Sequence, residues 1–177
     1  AGIAVANVDT RVTDLSQVVT FITGDNTDGG TKAAEAIAAK IGYTDGESYE
    51  VVVGLTSATA TTNVARLEGF QAAIEANYPG IEIVDVAYSE SNPQTAASNV
   101  DNWLTKYPNL DGIFAIDGTN ASGAAAALQA KNLVGKIALV GYDAYPANVE
   151  LIKSGVFTAL IAQDPAAEAR LAIRTLV

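Results

Sequence analysis

Short apolar runs rich in β-branched residues alternate along this chain with longer, alanine-rich segments of helical period. An apolar run of four to eight residues has the length of a buried strand, whereas a stripe that recurs every three to four residues is typical of an amphipathic helix. A chain that alternates the two in this way is restricted to α/β architectures with a parallel sheet. We therefore predict an α/β fold with a doubly wound parallel sheet and helices on both faces.

The pattern predicts seven strands, at residues 3–8, 18–23, 49–55, 81–87, 112–116, 137–142 and 156–162. It predicts five helices, at residues 31–41, 61–78, 95–107, 120–131 and 147–154. Continuous apolar stretches such as Val51-Val52-Val53 indicate strands that are buried on both faces. No internal repeat is apparent.

Composition excludes several classes of function. Twenty acidic against ten basic residues give a net charge of −10, which repels phosphate backbones, so nucleic acid is not an expected partner. Cysteine and histidine are absent, which removes disulfides, thiol and Ser-His nucleophiles and the usual zinc ligands. We expect neither a metal, a cofactor nor catalysis, and no apolar stretch reaches the ~20 residues of a membrane span.

Polar side chains follow most of the predicted strands. In an open parallel sheet, ligands bind beyond the carboxyl ends of the strands, so these residues are the candidates for a binding site. Arg66, early in the helix after the third strand, can reach the same edge. The candidate ligand-binding residues are Asp9, Thr10, Arg66, Ser91, Asp117, Asp143 and Gln163.

This set of carboxylates, an amide and a guanidinium suits a neutral polyhydroxy ligand. Carboxylates accept hydrogen bonds from hydroxyl groups, and a guanidinium donates to two oxygens at once. An alternative takes two of the aspartates as the acid and base of a glycoside hydrolase.

Each candidate also has a purely structural explanation. Asp9 and Asp117 can cap the helices that follow them, and Arg66 can pair on the surface with Glu68 or Glu75. The glycine-rich segment 24–30 lacks the Lys-Ser/Thr ending of a phosphate-binding loop, so we predict a hinge or turn there.

Six stretches resemble, in order and spacing, those of the type I periplasmic sugar-binding proteins, of which the ribose-binding proteins are the best-known branch. They are GIAVANVDT at 2–10, TGDN at 23–26 followed by Gly29-Gly30, RLEGF at 66–70, YPNLDGIFA at 107–115, VGYDA at 140–144 and GVFTALIAQDP at 155–165. The resemblance extends over essentially the whole chain.

The resemblance implies two doubly wound lobes joined by three crossover segments, with the ligand held between them. Residues 25–163 correspond to a complete second lobe, and residues 1–24 and 164–177 to parts of a first lobe that is truncated at both ends. Strands without their neighbours expose apolar surface and unpaired backbone groups, so we expect a homodimer or a complementary chain to cover this lobe.

On the same resemblance, Asp9, Arg66, Asp143 and Gln163 fall on sugar-contacting positions. Asp117 stands where the family usually has Asn, and Ser91 and Thr10 stand where ribose binders have an aromatic residue and Arg. These departures point away from ribose, and the Asp at 117 favours a ligand with hydroxyl or ammonium donors. Tyr88 is a candidate for a replacement stacking face.

The function that the resemblance implies is that of the solute-binding component of a bacterial ABC importer, which delivers a sugar or polyol to a membrane permease. Its expected location is periplasmic or extracytoplasmic, with a lipid anchor as one form of attachment. The effector domain of a lactose-repressor-like transcription factor has the same fold and is the main alternative. The last strand lacks the proline-led Thr-Thr-Val stretch of those repressors.

Overall fold

In the computed structural model, which describes residues 2–177, strands and helices alternate as the hydrophobic pattern predicts. Within these residues the strands are β1 (Ala6–Val8), β2 (Thr20–Ile22), β3 (Tyr49–Leu55), β4 (Ile81–Tyr88), β5 (Gly112–Ala115), β6 (Ala138–Tyr142) and β7 (Ala159–Ile161). The helices are α1 (Asn26–Ile41), α2 (Thr61–Asn77), α3 (Pro93–Lys106), α4 (Gly118–Ala130), α5 (Pro146–Lys153) and α6 (Pro165–Leu176). None of the helices in this part of the chain is both long and apolar enough to cross a membrane.

The strands form two parallel sheets. The larger sheet has the order β4-β3-β5-β6-β7, and the smaller one pairs β1 with β2. The chain passes from the small sheet to the large one between β2 and α1, and returns between β7 and α6, which packs on β1 and β2. Ala1, where the predicted segment 1–24 begins, lies outside the described residues.

Two apolar layers cover the large sheet, one on each face. Alternate residues of each strand point into opposite layers, so Val51 and Val53 lie in one and Val52 in the other. Helices α1 and α2 close the first layer around Phe70 and Phe114, whose ring centroids are 4.8 Å apart. Helices α3 and α4 close the second layer, so the predicted doubly wound sheet is confirmed.

Helix α1 begins five residues earlier than predicted, and this corrects the hinge or turn expected at 24–30. Asp25 caps the helix by accepting the N–H of Asp28, and Gly29 and Gly30 lie inside the first turns. Their missing side chains allow α2 to approach, since a Cβ on Gly30 would lie 2.0 Å from the carbonyl oxygen of Arg66. Tertiary packing, rather than backbone freedom, explains these glycines.

The outer strands are shorter than predicted. The first covers only Ala6–Val8 of the predicted 3–8, the second Thr20–Ile22 of 18–23, and the last Ala159–Ile161 of 156–162. A strand extends only as far as a neighbour supplies hydrogen bonds, and each of these three has a single partner among the described residues.

Two units of two parallel strands and a following helix share local geometry, although the sequence shows no internal repeat. Asp9 after β1 and Asp143 after β6 both have a φ of 67°, and each donates its N–H to the last residue of the paired strand. Asp25 and Asp164 then cap α1 and α6 in the same way. The two units share geometry but few identities, so no sequence period is visible.

Candidate functional site

A cavity of about 270 Å³ lies at the carboxyl ends of the strands, with walls from the segments after β1, β3, β5 and β6. All seven candidate residues line it, so the structure brings them together at one place. Its further lining residues are Thr56, Ala60, Thr62, Asn63, Gly118, Thr119 and Tyr145. The cavity includes the point in the large sheet where β3 has its sequence neighbour β4 on one side and β5 on the other, which is a common ligand position in such sheets.

Arg66 is 3% exposed and is held from three sides. Its Nε donates to Oδ1 of Asn26 at 2.8 Å, and its Nη1 donates to the carbonyl oxygen of Ile116 at 2.9 Å. The ring of Tyr142 lies 3.7 Å from the guanidinium carbon, and burial raises the pKa of its hydroxyl despite the opposing charge of Arg66. Within residues 2–177, Nη2 has no hydrogen-bond partner and remains available at the cavity.

The surface pair of Arg66 with Glu68 or Glu75 is not present among the described ion pairs. Burial explains this outcome, because Arg66 belongs to the inward stripe of α2. That stripe is polar near the cavity, at Thr62 and Asn63, and becomes apolar further along the helix. The i, i+3, i+4 spacing back from Phe70 was the signal for Thr62 and Asn63, which the sequence analysis missed.

Asp117 is the N-cap of α4, as its structural explanation predicts. Its Oδ1 accepts the N–H groups of Thr119 and Asn120 at 3.0 and 2.9 Å. Its Oδ2 accepts from the side chains of Asn120 at 2.7 Å and Thr56 at 2.8 Å. A carboxylate has about four acceptor positions, so the protein itself supplies a donor to each. This corrects the expectation that Asp117 favours a ligand with donors at that position.

Asp143 and Gln163 form a pair at the ends of β6 and β7. Gln163 Nε2 donates to Oδ1 of Asp143 at 2.6 Å, and the N–H of Gly118 donates to Oδ2 at 3.0 Å. Each carboxylate oxygen therefore retains acceptor capacity, and Oε1 of Gln163 has no donor within residues 2–177. The pair presents acceptors to the cavity.

Among the seven candidates, Asp9, Thr10 and Ser91 are the exposed ones. Thr10 donates to the carboxylate of Asp9 at 3.2 Å, and its hydroxyl is 3.5 Å from that of Thr62 on α2. Ser91 lies in a loop with a left-handed φ of 57°. Asp9 and Thr10 bring the small sheet to the cavity, so the site is shared between the two sheets.

Tyr145 is the aromatic residue of the cavity wall, and Tyr88 is not among the lining residues. Its ring covers Gly118 so closely that a Cβ there would lie 2.3 Å from a ring carbon. About half of Tyr145 is exposed. Partial burial, followed by the charges of Asp143 and Asp117, raises the pKa of its hydroxyl. The structure therefore does not place Tyr88, the expected stacking residue, at this cavity.

The chemistry of the cavity favours a neutral ligand. Helix α4 points its N-terminus here, but its first N–H groups already donate to Asp143 and Asp117, so the usual anion site of a helix is filled. Unused donors and acceptors remain side by side, namely Nη2 of Arg66, Nδ2 of Asn63, Oε1 of Gln163 and the oxygens of Asp143. Residues 2–177 contain no cluster of side chains with the makings of a metal site.

A family model and individual protein sequences both match this chain. The family model described as "Periplasmic binding protein domain" matches residues 1–177. The chain is 30% identical over 174 residues to the D-allose-binding periplasmic protein of Escherichia coli, covering 93% of this chain and 54% of that protein. It is 34% identical over 149 residues to the ribose import binding protein RbsB of Haemophilus influenzae, covering 84% of this chain and 48% of that protein.

Solved structures agree with these sequence matches. A carbohydrate transporter solute binding protein from Agrobacterium radiobacter, in complex with D-arabinose, superimposes with a TM-score of 0.88 at 27% identity. The match covers 98% of this chain and 59% of that one. A periplasmic solute binding protein from Actinobacillus succinogenes with bound D-allose gives 0.86 at 29% identity, with 98% and 60% covered. The chain therefore spans about half the length of its sequence relatives and three fifths of these structures.

Proposed function

This chain belongs to the family of periplasmic binding protein domains, and on that basis we propose that it binds a sugar, a polyol or a related small polar molecule in the cavity between its two sheets. The main support for the proposal is the hydrogen bonding of Arg66. Its guanidinium is buried, oriented by three neighbours and left with one nitrogen free at a polar cavity. Water serves Nη2 when the cavity is empty, and an oxygen of a polar ligand can take the place of that water as the acceptor.

Within the proposed site we assign different roles to the seven candidates. Arg66 donates to ligand oxygens, and Asp143 with Gln163 accepts from ligand hydroxyl groups. Asp9, Thr10 and Ser91 contribute from the exposed wall. Asp117 orients Thr56 and the start of α4, and it supports the site without accepting from the ligand.

Tyr145 adds an apolar face to this polar set. Sugars present C–H groups on one face of the ring, and a flat aromatic side chain packs well against such a face. The contact with Gly118 fixes the ring in position. We therefore propose Tyr145, rather than Tyr88, as the stacking residue of this chain.

Binding without chemistry fits the site better than hydrolysis does. A glycoside hydrolase needs one carboxyl group that gives a proton and one that acts as base or nucleophile. The oxygens of Asp117 are committed to four internal donors, which leaves this residue unsuited to either role. The relatives named above are binding proteins, and none of these matches supports the repressor alternative.

For the whole protein we propose the role of a solute-binding component that delivers its ligand to an ABC permease, in the periplasm or another extracytoplasmic location. The names of the relatives support this role. We propose residues 25–163 as one lobe of that protein and residues 1–24 with 164–177 as part of the other.

A thermal-shift panel tests the proposed binding. We expect one or two compounds among D-allose, D-ribose, D-arabinose, other monosaccharides and polyols to raise the melting temperature. A ligand at ~100 times its dissociation constant adds about 2.7 kcal/mol to the free energy of unfolding. A sugar phosphate serves as the matched control and should have no effect, because the N-terminus of α4 is filled. The proposal fails if no neutral compound stabilises either this chain or the full-length gene product that contains it.

The segments that lead into the small sheet and helix α6 expose several large apolar side chains, and we propose that a complementary chain covers them, or a second copy when the chain is alone. The exposed fractions are 78% for Ile3, 60% for Val19, 54% for Leu171 and 64% for Ile173. Exposure of this many large apolar side chains in one part of a fold is typical of a surface that is covered by a partner.

Light scattering tests whether a second copy covers these apolar side chains. The chain alone should associate and give a mass above 18.2 kDa. The double change Leu171→Lys with Ile173→Lys should reduce that mass, because it places a charge on both sides of α6. Val134→Lys, at an exposed apolar residue after α4 of the large-sheet part, should leave the mass unchanged. A strictly monomeric, monodisperse parent of 18.2 kDa would contradict the proposal.

A further inference from the structure

Asn26 connects the buried guanidinium of Arg66 to the segment that joins the two sheets. It is the first residue of α1 and is 6% exposed. Its Oδ1 accepts from Nε of Arg66 at 2.8 Å. Its Nδ2 donates to Oγ1 of Thr23 at 3.0 Å and to the carbonyl oxygen of Gly24 at 3.1 Å. The amide oxygen of this side chain thus binds Arg66, while its amide nitrogen binds the connection between the sheets.

The two partners of Asn26 belong to different parts of the fold. Arg66 lies on α2, which packs against the large sheet, whereas Thr23 and Gly24 follow β2 of the small sheet. The connection 23–25 is one of the two places where the described chain passes between the sheets. A displacement of this connection relative to α2 must therefore lengthen one of the bonds of Asn26.

The other contacts of Arg66 are local to the large sheet. Ile116 follows β5 and Tyr142 ends β6, so both move with that sheet. Among the described contacts of Arg66, Asn26 alone is also bonded to residues that follow the small sheet. Loss of Asn26 would free the Nε edge of the guanidinium while the Nη1 edge stays anchored.

We propose that Asn26 is a positioning residue that holds Arg66 for its ligand and couples that ligand contact to the Thr23-Gly24 connection. The inference rests on the proposed sugar-binding function and deepens it. Because such coupling is reciprocal, a sugar bound at Nη2 also stabilises one geometry of the connection. Asn26 does not line the cavity, so it acts through Arg66 rather than on the ligand.

Two variants separate the two halves of this role. Asn26→Ala removes both the acceptor for Arg66 and the donor to the connection. Asn26→Asp keeps an acceptor for Arg66, and the Thr23 hydroxyl can turn to donate to it, but it has no donor for the carbonyl oxygen of Gly24. Asn77→Ala, which removes a hydrogen bond to Ala73 at the far end of α2, is the matched control.

The first measurement needs no ligand. The chain has four arginines, so the Nε–H signal of Arg66 can be assigned by NMR and its exchange with water measured. We expect slow exchange in the parent, in Asn26→Asp and in Asn77→Ala, and exchange at least ~10-fold faster in Asn26→Ala, whose Nε–H has lost its acceptor. Unchanged exchange in a folded Asn26→Ala protein would overturn the positioning role.

The second measurement is the affinity for the panel sugar that the parent binds, taken by calorimetry below the melting temperature of each variant. We expect losses of about 10-fold for Asn26→Ala and at least ~3-fold for Asn26→Asp, and no loss for Asn77→Ala. Parental affinity in Asn26→Asp would overturn the coupling and leave only the acceptor role. A parent that binds no sugar overturns both the proposed function and the coupling, while the Nε–H exchange still decides whether Asn26 holds Arg66.

Discussion

Replacing Arg66 with alanine should weaken binding of the panel sugar by about 10- to 100-fold, because a hydrogen bond to a charged group contributes ~1.5–3 kcal/mol. The change removes the free Nη2 donor at the cavity. It also leaves the carbonyl oxygen of Ile116 and Oδ1 of Asn26 without a donor inside the protein, so the free energy of unfolding should fall by ~1–3 kcal/mol for each. Calorimetry with the folded variant separates the two effects.

Two further variants control for charge and shape. Arg170→Ala removes an equally charged but exposed side chain, and it should change neither affinity nor melting temperature appreciably. Arg66→Lys keeps the charge but cannot bridge Asn26, Ile116 and a ligand at once, so its affinity should also fall. Parental affinity in Arg66→Ala would refute the proposed site. Parental affinity in Arg66→Lys would refute the idea that the guanidinium must bridge several partners at once.

Replacing Gly69 with alanine should lower the free energy of unfolding by about 3 kcal/mol or more. A Cβ there would lie 2.0 Å from the carbonyl oxygen of Thr27, in the backbone of α1. Backbone atoms cannot rotate aside, so the helices must separate along their whole contact. In an exposed helix interior a change from glycine to alanine raises the free energy of unfolding by roughly 0.5–1 kcal/mol. A fall in this free energy would therefore report the close contact between the two helices.

In a chain of this size, a loss of ~3 kcal/mol lowers the melting temperature by about 6–12 °C, which differential scanning calorimetry measures directly. Gly24→Ala is the control for the melting temperature, because its Cβ would meet only the ends of two flexible side chains, Oε1 of Glu168 at 3.3 Å and Oε1 of Gln163 at 3.7 Å. Separation of α1 from α2 also moves Asn26 away from Arg66, so sugar affinity should fall together with stability in Gly69→Ala. A melting temperature equal to or above that of the parent would contradict the close helix contact.

The alternation of apolar runs and helical stripes was sufficient for the fold class, because hydrophobic periodicity reflects burial directly. Tyr49–Leu55 has the predicted bounds, and Thr61–Asn77 differs from its prediction by one residue. The outer strands were overestimated, since an apolar run does not reveal how far its neighbour extends. The start of α1 was missed, because the propensity of two glycines argues against a helix that a cap and a packing contact stabilise.

The site divides in a similar way. Asp9, Asp143 and Gln163 were found because polar residues at strand ends meet at one edge of a parallel sheet, whatever the rest of the sequence is. Asn63 was missed because it lies on the buried stripe of α2, away from any strand end. Tyr145 was missed because its ring reaches the cavity by packing on Gly118, which the sequence does not reveal. Their contribution depends on which way a helix is turned.

Residue order alone therefore established the class of fold and the edge of the sheet at which a ligand would bind, since both follow from short-range pattern and strand polarity. It did not establish which atoms of each polar group are already hydrogen-bonded within the protein. Asp117 and Arg66 were both charged candidates at the same edge, yet four internal donors occupy Asp117, whereas Arg66 keeps one nitrogen free. The partners of Arg66, Asn26 and Ile116, lie 40 and 50 residues away in the chain. Three of the donors to Asp117 are local, but the fourth, Thr56, lies 61 residues away, and such long-range pairings exist only once the sheet has assembled.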